Sequence, residues 1–320
     1  MAEKNSCAFR TSIGGQALIE GILMRGVDKQ SIVVRTEEGL VTKVEPLNLI
    51  KDKHPWLGWP FIRGVVNFVD SMAKGMKALT YSASFLPEDE QEQPSKLDLW
   101  IEEKVGSEKA EKIIIGIAMV MGLALAVGLF IFLPTLLVGF IPGIRTGHDG
   151  LRTLLEGIVK IAILLAYMYG VSQMKDIKRL FSYHGAEHKT IFCYEHREEL
   201  TVANVRKQSR FHPRCGTSFI LVVAIISIFV FILVNAFLGV DNVFLRMLVK
   251  LLLLPFVVAI TYELNRWLGR NDDKLFSRIL SWPGKQLQHI TTKEPDDSMI
   301  EVAITALKLV IPDVEGADAI

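Results

Sequence analysis

The chain has 320 residues, half of them apolar, with a formal net charge of +1 and a mean hydropathy of +0.32. A charge so close to zero argues against a nucleic-acid partner, and the apolar excess is typical of membrane proteins. Three widely spaced cysteines do not suit a disulfide framework, so we expect reduced thiols in the cytosol. The N-terminal residues lack a signal-peptide pattern and the glycine that myristoylation requires.

Residues 1–86 are predicted to form a cytoplasmic α+β unit. Two stretches rich in valine and threonine, 31–36 and 41–47, flank Glu37-Glu38-Gly39, and this order is typical of a β-hairpin. Apolar residues recur at helical spacing through 61–84, which predicts an amphipathic helix. This helix either packs into a core or lies on the membrane surface.

A glycine-rich stretch, residues 14–26, precedes the predicted hairpin. It contains neither a Gly-x-Gly-x-x-Gly nor a Walker pattern, so the sequence does not favour nucleotide binding. We expect Glu20 and Arg25 to form an ion pair within this unit. The alternative is that both residues lie against the segment 172–217 and complete a site there.

Residues 87–112 contain nine acidic residues and four lysines, and we interpret them as an acidic linker that leads into a helix. Apolar stretches follow, each long enough to cross about 30 Å of hydrocarbon. Two transmembrane helices are predicted within 113–171 and two more within 218–263. The apolar stretches themselves cover residues 113–141, 154–171, 218–238 and 243–260.

Two of these stretches contain charged residues. Glu156 and Lys160 are four residues apart in the second, so we expect them to neutralise one another on one face of the helix. Arg246 and Lys250 lie near the beginning of the fourth, and we expect both to extend towards the membrane surface.

The orientation follows from the distribution of basic residues. The segment 172–217 contains nine lysines and arginines, whereas the connections 142–153 and 239–245 contain only Arg145 and Arg152. Because cytoplasmic loops carry the excess of basic residues, the segment 172–217 is predicted to be cytoplasmic. With four spans, both termini are then cytoplasmic as well.

Residues 264–320 form the predicted C-terminal cytoplasmic segment. It ends in an amphipathic helix that needs a docking surface, either the N-terminal unit or the segment 172–217. Thr291, Thr292 and Asp297 are suitable residues to cap the beginning of that helix.

The segment 172–217 contains the motif His184-Gly-Ala-Glu187-His188, which is the His-x-x-Glu-His signature of inverted-order zinc proteases. In a helix, His184 and His188 lie one turn apart on one face, where two imidazoles can bind one metal ion. Glu187 lies close enough to act as the general base, the catalytic residue that takes a proton from metal-activated water.

A third protein ligand would leave one position open for water, as in catalytic zinc sites. The candidates are His212 and Cys215 in a turn before the third span, Glu195 on the same helical stripe, and Glu263 at the end of the fourth span. The same ligands also suit a structural or regulatory site. Two further residues of the segment are predicted not to bind metal: Cys193 and His196.

Five motifs together resemble the YqhQ-like family of bacterial multi-pass membrane proteins, and the resemblance extends from about residue 12 to 312. That family is a domain of unknown function labelled a predicted metal-dependent enzyme. The resemblance therefore implies a metal site and supplies no substrate. The motifs are Gly-Gly-Gln-Ala-x-Ile-Glu-Gly-x-x-Met-Arg-Gly at 14–26, Tyr-His-Gly-Ala-Glu-His-Lys-Thr at 183–190, His-Pro-Arg-Cys-Gly-Thr-Ser-Phe at 212–219, Tyr-Glu-Leu at 262–264 and Thr-Thr-x-Glu-Pro-Asp at 291–296.

These observations predict a polytopic α-helical membrane protein of about four transmembrane helices with a small α+β cytoplasmic lobe, in the inner membrane of a bacterium. The leading hypothesis is a metal-dependent hydrolase at the cytoplasmic face, acting on a membrane-associated peptide or lipid-linked substrate. The expected cofactor is a divalent metal, with zinc preferred. The alternatives are a scaffold or assembly factor with a structural or sensory metal site and, less favoured by the sparse charge of the spans, a small transporter.

Overall fold

A computed structural model describes residues 9–48, 50, 54–87, 95–141, 149–271 and 274–320. The chain divides into two compact units. We name them the sheet unit, which comprises Met1–Phe85, Leu165–Val223 and Pro255–Ile320, and the helical unit, which comprises Leu86–Leu164 and Ala224–Leu254.

The sheet unit contains a four-stranded antiparallel sheet in the order β1-β2-β3-β4. The predicted hairpin is confirmed as the last two strands. The first two strands were not predicted from the sequence. The second of them, β2, is buried along nearly its whole length, so its residues form a continuous apolar run and do not alternate with polar ones. The strands are β1 (Gly14–Leu18), β2 (Gly21–Arg25), β3 (Lys29–Thr36) and β4 (Gly39–Pro46).

The expected pair between Glu20 and Arg25 is wrong. Glu20 occupies the turn between β1 and β2 with φ 51°, and its carboxylate accepts hydrogen bonds from Arg179 at 2.6 Å and from the Tyr183 hydroxyl at 3.1 Å. Arg25 instead donates to the hydroxyl of Ser71 at 3.1 Å. Glu20 lies in the turn and Arg25 at the far end of β2, so the two side chains meet different partners. For Glu20 the alternative contact with the segment 172–217 is confirmed.

The described helices confirm the predicted amphipathic helix as α1. The segment 172–217 is largely helical and forms α6 and α7. The segment interpreted as an acidic linker, 87–112, contains a separate helix, α2, and the beginning of the first apolar helix, α3. In chain order the helices are α1 (Ile62–Ala83), α2 (Lys96–Val105), α3 (Ser107–Val127), α4 (Leu133–Gly139), α5 (Asp149–Val171), α6 (Lys175–Glu195), α7 (Val202–Lys207), α8 (Gly216–Leu238), α9 (Val243–Arg270), α10 (Leu275–Thr291) and α11 (Asp297–Lys308).

The C-terminal helix α11 packs against both surfaces that the sequence proposed for it, namely the sheet and α6. Ile300, Ala303 and Leu307 are fully buried and contact a core that also contains Ile22 and Tyr183. Side chains at this spacing lie on one helix face, and the burial of that face holds α11 in place.

The residue that caps α11 is Asp296, not one of the three predicted residues. Its carboxylate accepts the backbone N–H of Met299 at 2.9 Å and the hydroxyl of Ser298 at 2.6 Å. Thr291 is the last residue of α10, Thr292 is the C-cap of that helix, and Asp297 is the first residue of α11. The error arose because α10, which the sequence did not predict, takes up Thr291 and Thr292 at its end, and because Asp297 already belongs to α11.

Replacing Asp296 by alanine is expected to cost about 1 kcal/mol of stability at neutral pH, the usual effect of losing an N-cap. Burial raises the pKa of Asp296, but the hydrogen bonds from Ser298 and Met299 outweigh it and hold the pKa below its ordinary value. The contribution is therefore present above the ordinary pKa and lost as the pH falls through the lowered one. Thermal unfolding across acidic pH checks this, and Asp296→Asn should keep a cap without the pH dependence.

Within the described residues, four helical stretches are long and apolar enough to cross a membrane: Ile113–Gly139, Gly150–Val171, Gly216–Leu238 and Val243–Arg270. They confirm the four apolar stretches of the sequence as helices. The first joins α3 to α4 through a π-helical turn, Gly128–Phe132, and the fourth continues ten residues beyond the predicted end at Ile260. The predicted end was the last residue of the apolar run, whereas the helix continues through the more polar residues that follow it.

The charged residues of these helices pair differently from the prediction. Glu156 binds Arg152, Arg246 and Lys250, whereas Lys160 donates to the hydroxyl of Ser227. Arg152 and Lys160 lie one helical turn before and after Glu156. Arg246 and Lys250 of α9 also bind its carboxylate, and Lys160 bonds elsewhere. Arg246 and Lys250 are buried instead of extending to a surface.

Candidate metal centre

The two histidines of the motif lie on the buried part of α6. His184 and His188 are one turn apart, their ring centroids are 4.3 Å apart, and their exposed fractions are 8% and 2%. Tyr183 and Ala186 lie on the same stretch of α6. Both are fully buried in the core to which α11 also contributes side chains. The helix therefore holds both imidazoles at fixed positions in the interior of the sheet unit.

Cys215 joins this pair from the turn before α8. Its Sγ lies 3.2 Å from Nε2 of His184, and one ligand atom from each of the three residues lies within 4.8 Å of the others. Ligand atoms around a tetrahedral zinc, with bonds of about 2.0–2.3 Å, are separated by about 3.5 Å. Small side-chain rotations would bring all three atoms to those distances.

Backbone carbonyls hold both imidazoles from behind. Nδ1 of His184 lies 2.8 Å from the carbonyl oxygen of Thr291, and Nδ1 of His188 lies 2.5 Å from that of Arg210. A carbonyl only accepts, so each ring donates its Nδ1–H, and Nε2 is the ring nitrogen that remains to bind a metal ion. This arrangement is usual for histidines that bind metal, because the carbonyl fixes both the tautomer and the ring orientation. The donor set therefore fits a zinc-class ion.

The electrostatics of Cys215 and His184 favour a thiolate beside an imidazolium when no metal is bound. Burial opposes both charges, yet the neighbouring histidines lower the pKa of Cys215 well below its ordinary value and the thiolate raises the pKa of His184. The hydroxyl of Thr217 lies 3.0 Å from the sulfur and can donate to it. A thiolate is the form of cysteine that binds metal.

Glu187 is held beside the cluster by the first strand of the sheet. Its Oε1 accepts the backbone N–H of Gly15 at 3.0 Å, and burial raises the pKa of this carboxyl group. A Cβ at Gly15 would lie 3.0 Å from Cδ of Glu187 and 2.8 Å from the carbonyl oxygen of Leu23. Only glycine therefore fits here, and the glycines at 14 and 15 were the sequence signal for this close approach.

His212 lies near the cluster but faces away from it. Its Nε2 is 3.6 Å from Oε2 of Glu195, and its ring centroid is 5.6 Å from that of His188. Glu195 in turn binds Arg214 and accepts the backbone N–H of Thr11 at 2.8 Å. Burial, together with the positive charge of Arg214, lowers the pKa of His212 to about 4, although Glu195 acts in the opposite direction. This ring is therefore neutral at physiological pH. His212 and Glu195, two of the candidates for the third ligand, therefore face one another.

Glu263, the remaining candidate, is also separate from the cluster. It forms an ion pair with Arg63 and accepts the backbone N–H of Phe61 at 3.2 Å, so it connects α9 to the beginning of α1. Cys193 and His196 are not part of the cluster, as the sequence indicated, and Cys193 is fully buried.

Gly185 allows the chain after α10 to cross α6 beside the cluster. A Cβ at this position would lie 2.0 Å from the carbonyl oxygen of Lys293. The same crossing places the Thr291 carbonyl behind His184 and lets the N–H of Lys293 donate to the carbonyl of Phe181 at 2.9 Å. The motifs at 183–190 and 291–296 are therefore in direct contact in the fold.

Replacing Gly185 by alanine is expected to destabilise the sheet unit by about 1–3 kcal/mol, the usual cost of overpacking, because a backbone atom has to move. A lower unfolding temperature of the purified protein checks this. The matched control is Gly170→Ala, since a Cβ there meets open space and alanine favours the helix. Equal unfolding temperatures for the two variants would contradict the close contact between Gly185 and the backbone at Lys293.

Comparisons with known proteins agree with the resemblance read from the motifs. The family described as "Protein of unknown function (DUF1385)" matches residues 59–313. The protein named "Uncharacterized protein YqhQ" from Bacillus subtilis (strain 168) is 35% identical over 301 residues, which cover 91% of this chain and 89% of that protein. No solved structure matches the chain significantly. Because the family model matches most of the chain and the relative is similar over nearly the whole length, the chain belongs to the DUF1385 family.

Proposed function

We propose that this protein is a membrane-embedded, metal-dependent hydrolase. Its centre is a zinc-class ion bound by His184, His188 and Cys215, with Glu187 as the catalytic base. The observation that supports this most directly is the convergence of the three ligand atoms while carbonyls hold both imidazoles from behind. Three protein ligands, with one position left for water or substrate, are the arrangement of catalytic zinc sites.

The chemistry divides between the ion and the chain. A zinc-class ion supplies Lewis acidity towards a carbonyl or phosphoryl oxygen and makes water more acidic. Glu187 supplies the proton transfer: Gly15 holds Oε1 by its N–H, and Oε2 takes the proton from the attacking water and later gives it to the leaving group. The raised pKa of Glu187 suits this exchange, because the ideal catalytic pKa lies near the working pH.

The membrane location is part of the proposal and rests on two observations. Four helices have the length and composition of membrane spans. In addition, α10 begins with four exposed apolar side chains at helical spacing, a face that suits the interface between lipid and water. The four residues are Leu275, Phe276, Ile279 and Trp282.

The basic residues of the segment 172–217 support a position of the centre on the cytoplasmic side of a bacterial cell membrane, with both termini on that side. At that location the substrate class is a membrane-associated peptide or a lipid-linked ester, because such molecules present a scissile bond close to the membrane surface.

The first experiment measures metal bound per chain in detergent-purified protein prepared without chelators. We expect about one equivalent of zinc or iron, as for other structural and catalytic sites of this ligand type. Hydrolysis of p-nitrophenyl acetate and bis-p-nitrophenyl phosphate is then compared before and after removal and restoration of that metal. Folded protein without bound metal would contradict the proposal.

One observation favours a second candidate, a structural metal site in a non-enzymatic scaffold. The ligands and Glu187 are nearly inaccessible, with exposed fractions of 8% for His184, 5% for Glu187, 2% for His188 and 5% for Cys215. In a scaffold, chelation would lower the unfolding temperature while the restored protein hydrolyses neither test compound. Metal-dependent turnover would reject this candidate.

A further inference from the structure

The helical unit contains an unbalanced cluster of charges. Arg152, Glu156, Arg246 and Lys250 are all buried between α5 and α9, and Lys160 lies one turn further along α5. Glu156 is the one buried acidic residue among the described residues of this unit. Four cationic side chains therefore share one carboxylate, although an uncompensated buried charge is costly.

Glu156 is shared by three of the four cations. Oε1 accepts Nε of Arg152 at 3.2 Å, and Oε2 accepts from Nη2 of Arg246 at 3.2 Å and from Lys250. Among the described residues, Lys160 bonds to the neutral hydroxyl of Ser227 and not to a carboxylate, and Lys250 bonds also to the hydroxyl of Thr135. The cluster therefore retains an excess of positive charge after its internal pairing.

Several donors of the cluster have no acceptor among the described residues. They are Nη2 of Arg152, Nε of Arg246 and Nδ2 of Asn235, each of them buried. Buried donors of this kind are rare in folded proteins and call for an explanation, such as a bound ion. A small cavity adjoins two of these residues, and its lining includes Thr153, Phe231, Asn235, Arg246 and Lys250.

The cluster lies near one end of each of the three helices that contribute to it, α5, α8 and α9. Arg152 and Glu156 fall in the first two turns of α5, Arg246 and Lys250 in the first two turns of α9, and Asn235 in the last turn of α8. At 1.5 Å per residue these positions are within about 10 Å of the helix ends. Basic pockets between transmembrane helices are sites at which anionic lipid head groups bind.

We propose that this cluster is a binding site for a phosphate-type oxyanion, supplied either as a free anion or as the head group of an anionic lipid. Guanidinium groups bind the oxygens of phosphate through paired N–H donors, and the amide of Asn235 and the ammonium of Lys250 add further donors. The bound anion lies against the cavity that Asn235, Arg246 and Lys250 line, accepts from Nε of Arg246 and Nδ2 of Asn235, and neutralises the excess charge. The site is independent of the metal centre and of its proposed activity.

The test compares the wild type with Glu156→Gln in dodecyl maltoside at constant ionic strength. Thermal unfolding is followed in chloride, in inorganic phosphate and in micelles doped with phosphatidylglycerol. We expect phosphate or the anionic lipid, but not chloride, to raise the unfolding temperature. Glu156→Gln should be less stable in chloride, should recover in the active anion, and should bind that anion at least about tenfold more tightly because the competing carboxylate is gone.

Two further variants keep the result interpretable. Glu102→Gln makes the same chemical change at an exposed position of α2 and should respond like the wild type. Lys160→Gln removes one cation that has few partners and should weaken the response while the protein remains folded. A response to phosphate identifies a free anion as sufficient, and a response to the lipid alone identifies the head group. Equal unfolding temperatures in chloride, phosphate and lipid, for both the wild type and Glu156→Gln, would overturn the proposal.

Discussion

Alanine in place of His184 or His188 should lower the affinity for zinc more than about 100-fold, so that protein purified without chelators retains little metal. Each change removes one of three protein ligands whose Nε2 or Sγ atoms converge. Loss of a group that merely orients a ligand already costs about 10- to 100-fold. Elemental analysis of the purified variants, combined with zinc titration against a competing chelator, measures the effect directly.

The controls separate loss of ligand from loss of fold. His54→Ala changes the same residue type at an exposed position and should keep its metal. His212→Ala distinguishes between the candidates for the third ligand: we expect it to keep metal, because its Nε2 faces Glu195, whereas Cys215→Ser should lose it. Metal retained by Cys215→Ser and lost by His212→Ala would reverse this assignment.

Acid should release the metal from the wild type. Cys215 and both histidines bind metal only in their deprotonated forms at the coordinating atoms, so protons compete with the ion as the pH falls. His54→Ala should release metal over the same pH range as the wild type. Metal content that is constant down to strongly acidic pH would contradict coordination by these residues.

Glu187→Gln is expected to keep the metal and to lose about 100- to 10,000-fold in turnover, the usual contribution of a general base. Glutamine has the same shape and can still accept the N–H of Gly15 through its amide oxygen, so the local structure should persist. It cannot take a proton from water. The measurement combines metal content with the rate of hydrolysis of the test ester or phosphodiester by metal-restored protein.

The matched control is Glu301→Gln, which makes the same substitution on the exposed face of α11. It should retain both metal and turnover. Loss of metal in Glu187→Gln would make Glu187 a ligand rather than a base. Unchanged turnover with metal retained would remove Glu187 from the chemistry altogether.

The sequence by itself determined the elements whose signals are local. Apolar runs of sufficient length predicted the four long helices, and helical spacing predicted α1 and α11. The interval of four residues between His184 and His188 predicted that both imidazoles share one face of a helix. These predictions depend on the periodicity of a single element, so no information about distant residues was needed.

Tertiary structure decided which side chains meet. Three candidates for the third ligand had suitable chemistry near α6, and the turn before α8 brought Cys215 to the pair while His212 and Glu195 paired with each other. Gly15 reached Glu187 across 172 residues of sequence.

The ion pairs of Glu20 and Glu156 also could not be predicted from the sequence, because they depend on residues that are distant along the chain. Glu20 and Glu156 each had a plausible partner nearby in sequence, but both bind cations from other elements of the fold. Close spacing along the chain only makes a contact possible. Which contact forms depends on how helices and strands pack, because burial leaves each charge only the partners that packing places within reach.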